Sequence, residues 1–149
     1  MENMFEPAGA TGILQRLENL QSNAVAQWGK MTVAQMLAHC QVPIECALGD
    51  RQQKQSLLGK LFGPIAKKQM LKDAPFKKNL PTDASFVVKD QRNFEKEKQL
   101  LKTLIQRLST ANTALIVQRP HPFFGKLTAE ELGKLTWKHL NHHLQQFGA

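Results

Sequence analysis

Features that would place the chain in several familiar classes are absent or scarce. It has two cysteines in 149 residues, which is too few for a disulfide scaffold. No apolar run approaches the roughly 20 residues of a membrane-spanning helix. The first residues also lack the charged and then apolar pattern of a signal peptide. We therefore expect a soluble, cytoplasmic protein.

Signatures of common phosphate-binding and hydrolytic sites are also missing. The chain contains no glycine-rich phosphate loop and no Gly-x-Ser-x-Gly nucleophile motif. No aspartate or glutamate stands at an obvious metal-ligand spacing from the histidines. If the protein is an enzyme, we therefore expect water bound to a metal ion to act as the base.

Length and composition fit one ordinary globular domain. The chain is 42% hydrophobic and 21% charged, which is close to average for folded proteins. A chain of about 150 residues buries about 70% of the surface that its unfolded form exposes, so its core needs no cross-link. We expect residues 1–149 to form a single domain.

Positive charge is concentrated in one part of the chain. Residues 51–78, the basic segment, contain eight lysines and arginines and one acid, so the segment carries +7 of a net charge of +8. Such a segment can bind nucleic acid or an anionic membrane. The simpler interpretation is a solvated connection. We favour it because Phe62 and Phe76 are the only aromatic residues there that could stack on bases.

Apolar residues at helical spacing predict four main helices. They cover approximately residues 13–25, 33–48, 91–108 and 129–146. Capping boxes at Thr32 and Thr128 open the second and fourth helices, and Asp90 is placed to cap the third. Pro43 lies inside the second helix and should kink or break it.

The stretches between these helices give weaker signals. Residues 1–10 resemble a loose lead-in, and residues 54–72 hold short helical pieces interrupted at Gly63 and Pro64. An extended crossover that touches a strand is predicted for residues 73–88, and residues 113–117 are β-prone. Four helices with one long crossover between the second and third describe an all-α four-helix bundle.

Three of the five histidines lie in the last predicted helix. At about 100° per residue, His139 and His143 fall within about 20° of the apolar direction set by Leu132, and His142 lies about 80° to one side. The opposite side carries Lys134, Lys138, Asn141 and Gln145. Histidines four residues apart project their rings to a common point, which suits a divalent metal ion. A satisfied core pair or a surface coincidence is the alternative.

Two further histidines are candidates for the same site. His39 is the only histidine on another predicted helix, beside its apolar stripe, and this position is compatible with facing the last helix across a cleft. Three histidines from two helices would leave coordination positions open, as in catalytic zinc sites. His121, in the loop before the last helix, is a candidate base or extra ligand. We favour the interpretation that it bonds to the backbone.

The cysteines and tryptophans have simpler explanations. No sequence neighbour of Cys40 or Cys46 clearly lowers a thiol pKa, so we expect both to be buried structural residues. Trp28 and Trp137 are most simply packing anchors.

Two segments resemble a known superfamily. Residues 28–44, WGKMTVAQMLAHCQVPI, resemble the second-helix motif of DinB/YfiT-like proteins, which carries a metal-binding histidine in an MLxH context. The end of the chain, HPFFGKLTAEELGKLTWKHLNHHLQQFG, resembles the final helix of that superfamily and most resembles a branch classed as a domain of unknown function. The similarity covers most of the chain in order, with a looser match in the middle.

This resemblance implies an up-down-down-up four-helix bundle that forms a homodimer. It implies a divalent metal ion, commonly nickel or zinc, held by His39, His139 and His143. Gln146, three residues after the last of these, would orient a ligand or water from outside the metal ligands. Better-known relatives are transferases and isomerases that use mycothiol or bacillithiol, and metal-dependent hydrolases. None of these activities transfers with the fold alone.

We therefore expect a metal-dependent enzyme that acts on a small molecule, by hydrolysis or by transfer involving a low-molecular-weight thiol. The first alternative is a bundle that binds a metal ion or ligand without catalysis. The second is a nucleic-acid or membrane-surface module that uses the basic segment. As partners, nucleic acid and membranes rank below a small-molecule substrate.

Overall fold

The computed structural model describes residues 2–149, and the regular structure within that range is helical, without a β-strand. The helices are α1 (Pro7–Asn19), α2 (Val33–Leu48), α3 (Leu57–Met70), α4 (Phe94–Ser109), α5 (Thr113–Ile116) and α6 (Ala129–Gln146). A 3₁₀ turn spans Ala84–Phe86. The all-α prediction is confirmed. None of the helices in this range combines the length and the hydropathy that a membrane span requires.

Four of the helices pack around one core. α1 contacts α4 and α6, and α2 contacts the same two helices, so the four form a ring. The side chains with almost no exposed surface are aliphatic or sulfur-containing and include Met36, Leu37, Ile105, Leu108 and Leu140. Removal of these side chains from water is the main force that holds the ring together.

Both predicted capping boxes are present. The Thr32 hydroxyl accepts the N–H of Gln35, and the Gln35 side chain accepts the N–H of Thr32. Thr128 and Glu131 make the same reciprocal pair at the start of α6. These pairs fix where α2 and α6 begin, and therefore which residues of each helix face the core.

The predicted bounds of α1 are wrong at both ends. The helix begins at Pro7, before the predicted start at Ile13, because a proline in the first turn gives up no helical hydrogen bond. It ends at Asn19, and Val25 beyond it is 81% exposed. The lead-in is not loose either, since Met4 is fully buried and its N–H donates to the main chain of α6.

The predicted cap of α4 is also wrong. α4 begins at Phe94, and the side chain of Asn93 caps it by accepting the N–H of Lys96. Asp90 instead forms an ion pair with Arg92. Either side chain can cap a helix, but α4 begins at Phe94 and not at Gln91, so Asn93 occupies the capping position.

Neither predicted extended stretch forms a strand. Residues 113–117 contain the short helix α5, because the Asn112 side chain accepts the N–H of Ala114 and starts a helical turn. In the crossover, residues 73–88, Asp83 caps the 3₁₀ turn in the same way. Local side-chain caps therefore outweigh the β-propensity of the apolar residues in both places.

Two helices continue through an internal proline. Pro43 does not break α2, which runs as one helix from Val33 to Leu48. The separate pieces predicted around Gly63 and Pro64 are likewise one helix, α3. Pro64 is exposed, so water can satisfy the carbonyl that its missing N–H leaves free.

α3 lies outside the ring and contacts a loop through its glycines. Its buried residues are Gly59 and Gly63. A Cβ atom would lie 2.7 Å from the Phe123 carbonyl oxygen at Gly59, and 2.5 Å from it at Gly63. Only glycine permits this approach. The large apolar side chains point outward, and we call them the outer face of α3: Leu57, Leu58, Leu61, Phe62 and Ile65.

A buried lysine joins α6 to the end of α3. Helical spacing places Lys138 on the polar side of α6, yet this residue is only 5% exposed. Its Nζ donates to the carbonyls of Met70, Lys72 and Ala74 at 2.6, 2.6 and 3.0 Å. The carbonyls at the C-terminal end of α3 replace the water that a lysine normally needs, and the helix dipole favours a cation there.

Candidate metal centre

Three histidines from α2 and α6 meet at one point. One ring nitrogen each from His39, His139 and His143 lie within 4.8 Å of one another. The ring centroids form a nearly equilateral triangle with sides of 4.9, 4.8 and 4.7 Å. These are the three histidines that the sequence indicates as metal ligands.

Helix register positions each ring. His139 and His143 are one turn apart on α6, beside the buried Leu140 and Leu144, and therefore project to the same side. His39 is 4% exposed and lies on α2, which packs against α6. The contact between these two helices brings the third ring to the other two.

Two of the rings have hydrogen-bond partners that fix their protons. His39 Nδ1 lies 2.9 Å from the Phe86 carbonyl oxygen, and His143 Nδ1 lies 2.8 Å from Oε1 of Gln146. These oxygens can only accept, so each neutral ring carries its proton on Nδ1 and has a lone pair on Nε2. His139 Nε2 lies 2.9 Å from His39 Nε2, so the lone pair of His39 is directed at the His139 ring.

Gln146 connects His143 to the turn before α2. Its amide nitrogen donates to the Trp28 carbonyl at 2.6 Å, which leaves Oε1 for His143. Gly29 makes room for this contact, because it has a φ of 79° and a Cβ there would lie 2.8 Å from the Gln146 amide nitrogen. Gln146 therefore touches His143 from outside the histidine group.

Burial keeps the three rings uncharged. Desolvation lowers the pKa of His39, His139 and His143, and that of His143 falls to about 3. Repulsion from the neighbouring histidines lowers the pKa of His139 and His143 further. Only a neutral imidazole can bind a metal ion, so the rings are in ligand form at neutral pH.

The donor atoms suit a divalent transition-metal ion. Tetrahedral zinc–imidazole bonds of about 2.0–2.1 Å separate two nitrogens by about 3.3–3.4 Å. The 2.9 Å between the Nε2 atoms of His39 and His139, and the 4.8 Å limit for the group, bracket that separation. Imidazole nitrogens suit zinc, nickel, copper or iron, whereas calcium and magnesium prefer oxygen. Three histidines close together can therefore hold a metal ion of this class.

His142 lies next to the group without joining it. Its ring centroid is 5.4 Å from that of Trp28, 5.9 Å from that of Phe76 and 5.2 Å from that of His143. The convergent nitrogens belong to the other three histidines. This placement matches its position at the margin of the buried face of α6.

His121 makes the backbone contacts that we favour from the sequence. Its Nδ1 accepts the N–H groups of Phe123 and Phe124 at 3.0 and 3.2 Å, so its proton is on Nε2. Burial lowers its pKa to about 4, although Asp83 acts in the opposite direction. With Nδ1 occupied, His121 is a hydrogen-bond donor at neutral pH and not a general base.

A cavity of about 560 Å³ opens beside the histidine group. All five histidines line it, and most of the remaining wall is apolar. Its aromatic and aliphatic residues come from the turn before α2, the crossover and the loop before α6, and include Trp28, Phe76, Phe86, Val87, Phe123 and Phe124. A cavity of this size and lining is typical of a small-molecule site.

Sequence reasoning missed the crossover's part in this site. The Phe86 carbonyl that accepts from His39 comes from residues 73–88, which the sequence indicates only as a connection. A backbone carbonyl has no residue-type signal. The one local clue is the Asp-x-Ser pattern, in which Asp83 accepts from the N–H and the hydroxyl of Ser85 and so forms the turn that presents Phe86.

The cysteines do not contribute a nucleophile. Cys40 and Cys46 are buried and unpaired, as expected from the sequence, and burial raises the pKa of both thiols. Neither offers a thiolate at neutral pH. Trp137 packs against the core, whereas Trp28 also lines the cavity.

Comparisons with known proteins give one match. No curated protein and no solved structure shows significant similarity to the chain. Residues 7–149 match the sequence model of a family described as "Protein of unknown function (DUF1569)". This agrees with the resemblance to a domain of unknown function. Because the match covers α1 to α6 and all three clustered histidines, the chain belongs to the DUF1569 family.

Proposed function

We propose that the protein is a DinB-like metal-dependent enzyme that acts on a small, largely apolar molecule. The observation that carries the proposal is the convergence of His39, His139 and His143 beside an apolar cavity. Zinc and nickel are the proposed ions, because both accept imidazole nitrogen.

The chain's own residues hold the proposed ligands in place. The Phe86 carbonyl and the Gln146 side chain each accept an Nδ1 proton, which leaves Nε2 of His39 and His143 as donor atoms. Partners of this kind fix the tautomer and orientation of a ligating histidine. Among residues 2–149, no aspartate or glutamate carboxylate belongs to this group of possible metal ligands. Three neutral donors leave the ion's charge uncompensated, which favours an anionic substrate group or a thiolate.

The cavity walls and His121 would position the substrate. A divalent ion held by three histidines supplies Lewis-acid chemistry, which activates water for hydrolysis or a low-molecular-weight thiol for group transfer. The aromatic walls exclude water and favour an apolar substrate body. The Nε2–H of His121 is available to donate a hydrogen bond to a polar atom of the substrate.

A bundle that binds metal without turnover is the second candidate. One observation favours it: His121 and the carboxylate of Asp83, two other proton acceptors that line the cavity, already accept hydrogen bonds from neighbouring residues. His121 uses Nδ1 to accept two backbone N–H groups, and the thiols of Cys40 and Cys46 are buried. Both candidates share the same metal site and differ in catalysis.

Metal analysis of protein purified without chelator or affinity tag tests the shared part. We expect about one equivalent of zinc or nickel per chain by elemental analysis, and one-site binding when the ion is titrated into metal-free protein. Failure of both measurements would overturn the proposal. A screen of ester and amide hydrolysis and of thiol transfer on the loaded protein then separates an enzyme from a binding protein.

A further inference from the structure

Half of the exposed large apolar residues in the described chain belong to one helix. The outer face of α3 consists of Leu57, Leu58, Leu61, Phe62 and Ile65, which are 83, 63, 69, 50 and 71% exposed. The others are dispersed over the chain: Val25, Leu80, Val87, Leu100 and Leu115. A contiguous apolar patch of this kind marks a surface that meets a partner, whereas single exposed leucines are ordinary.

The opposite face of α3 keeps these side chains exposed. Gly59 and Gly63 lie against the Phe123 carbonyl, where even a Cβ atom would be too close. The side chain of Gln55 donates to the same carbonyl at 3.0 Å, and the Ser56 N–H donates to another loop carbonyl at 3.1 Å. Since a leucine cannot fit between this helix and the loop, α3 cannot bury its outer face by rotating.

Exposed lysines lie beside the outer face and beyond both of its ends. Lys54, Lys60, Lys68 and Lys72 are exposed on α3 or within three residues of its ends. The basic segment to which they belong carries +7, with Asp73 as its single acid. The helix therefore presents an apolar strip bordered by lysines.

We propose that α3 docks the protein onto an anionic lipid bilayer. The helix would lie parallel to the membrane surface, with its outer face in the headgroup–acyl boundary and its lysines among the phosphates. An apolar face bordered by lysines is the pattern of helices that bind at this boundary without spanning the membrane.

A second copy of the chain and a nucleic acid fit this surface less well. A two-fold dimer through α3 would place one basic segment against another, each with a net charge of +7. A homodimer would therefore use a different surface. A nucleic acid would pair with the lysines but leave the leucines in water, and Phe62 is the only aromatic residue on the face. An anionic bilayer satisfies both the charge and the apolar strip, a combination that the sequence alone does not reveal.

Co-sedimentation with vesicles tests the proposal. We expect the full chain to bind phosphatidylcholine vesicles that contain phosphatidylglycerol, to bind pure phosphatidylcholine weakly, and to lose affinity as salt rises. Leu61→Ser with Ile65→Ser, and separately Lys60→Glu with Lys68→Glu, should each lower the partition coefficient roughly tenfold or more. The control, Leu100→Ser with Leu115→Ser, changes leucines that are 43 and 56% exposed elsewhere and should bind as the parent does.

Other results would assign the face to another partner or to none. No binding to the anionic vesicles, or equal binding by the parent and both α3 variants, overturns the proposal. If light scattering without lipid shows a dimer that the Leu61→Ser, Ile65→Ser variant converts to a monomer, and vesicles are not bound, the occupant is a second copy. The proposal would also be overturned if the parent bound RNA tightly and did not bind vesicles, and if only the Lys60→Glu, Lys68→Glu variant lost RNA binding.

Discussion

α3 and α6 are both amphipathic, but they bury opposite kinds of residue. α6 turns leucines and histidines inward, whereas α3 turns glycines inward and leucines outward. The cause is what each helix packs against: α6 meets side chains of α1 and α2, and α3 meets the backbone of the loop before α6. The spacing of apolar residues therefore shows that a helix has two faces. Which face is buried depends on how closely the helix backbone approaches the segment that it packs against.

The largest expected effect is a loss of metal affinity when the histidines on the buried face of α6, or His39 on α2, are replaced. We expect His39→Ala, His139→Ala and His143→Ala each to lower the affinity for zinc or nickel roughly 1000-fold, about 4 kcal/mol, because two imidazoles remain where three converge. Isothermal titration of the ion into metal-free protein measures this. His142→Ala is the control and should bind as the parent does. Equal binding by all four variants would show that these three rings are not the ligands.

The next largest effect is at the glycine face of α3. In Gly63→Leu the side chain meets the Phe123 carbonyl, so we expect α3 to separate from the loop at a cost of about 3 kcal/mol. Amide hydrogen exchange should accelerate in residues 57–70 while α2 keeps its protection. Gly12→Ala is the control, because a Cβ there meets nothing within 4 Å. Unchanged exchange in α3 would contradict the close approach.

The buried histidines should make the metal-free protein acid-sensitive. Folding lowers the pKa of His143 from 6.5 to about 3, so the unfolded chain binds more protons between these values. Stability is therefore lost as the pH falls, by about 2 kcal/mol between pH 7.5 and pH 5 for this residue. The shifts of His39 and His139 have the same sign. Urea unfolding at both pH values measures the loss, which should be smaller in His143→Gln; an equal loss in both proteins would exclude His143 as a cause.

A smaller effect is expected for the residue that orients His143. Gln146→Leu removes the acceptor of the Nδ1 proton, so we expect metal affinity to fall about tenfold while the three rings stay together. Titration of the same ions checks this result. Gln145→Leu changes the exposed neighbour and should have no effect. A loss as large as that of His143→Ala would point to misfolding of the helix end.

The smallest effect is expected in the basic segment. We expect Lys67→Glu with Lys68→Glu to leave metal affinity unchanged, since neither residue contacts the histidines. Lys67 does pair with Glu131 at 3.2 Å, so thermal unfolding should reveal a loss of up to about 1 kcal/mol. Loss of metal from the folded variant would show instead that α3 closes over the site.

The parts of the structure that local signals determine are predictable from the sequence. The Thr32 and Thr128 caps fix the start of α2 and α6, and the spacing of His139 and His143 then places both rings on one face. The position of His39 beside the apolar stripe of α2 is compatible with the cleft that the structure shows. Each of these inferences needs only residues within a few turns of one helix.

The parts that the sequence could not reveal depend on distant partners. The burial of Lys138 requires carbonyls from the end of α3, and the His39 proton requires the Phe86 carbonyl. Similarly, the burial of Met4 depends on α6, where the Gly133 carbonyl accepts the Met4 N–H. No spacing rule contains these contacts, because they join segments that come together only when the chain folds.

The three hydrogen bonds of Lys138 decide which wall of the cavity can act as a gate. If the end of α3 moved away, the buried ammonium of Lys138 would lose its hydrogen bonds to the carbonyls of Met70, Lys72 and Ala74 at once. This loss costs far more free energy than thermal motion provides. The cavity wall at the end of α3 therefore stays in place while a ligand enters or leaves. Asn79 to Thr82 in the crossover also line the cavity and are exposed, so we expect a ligand to enter and leave past these residues.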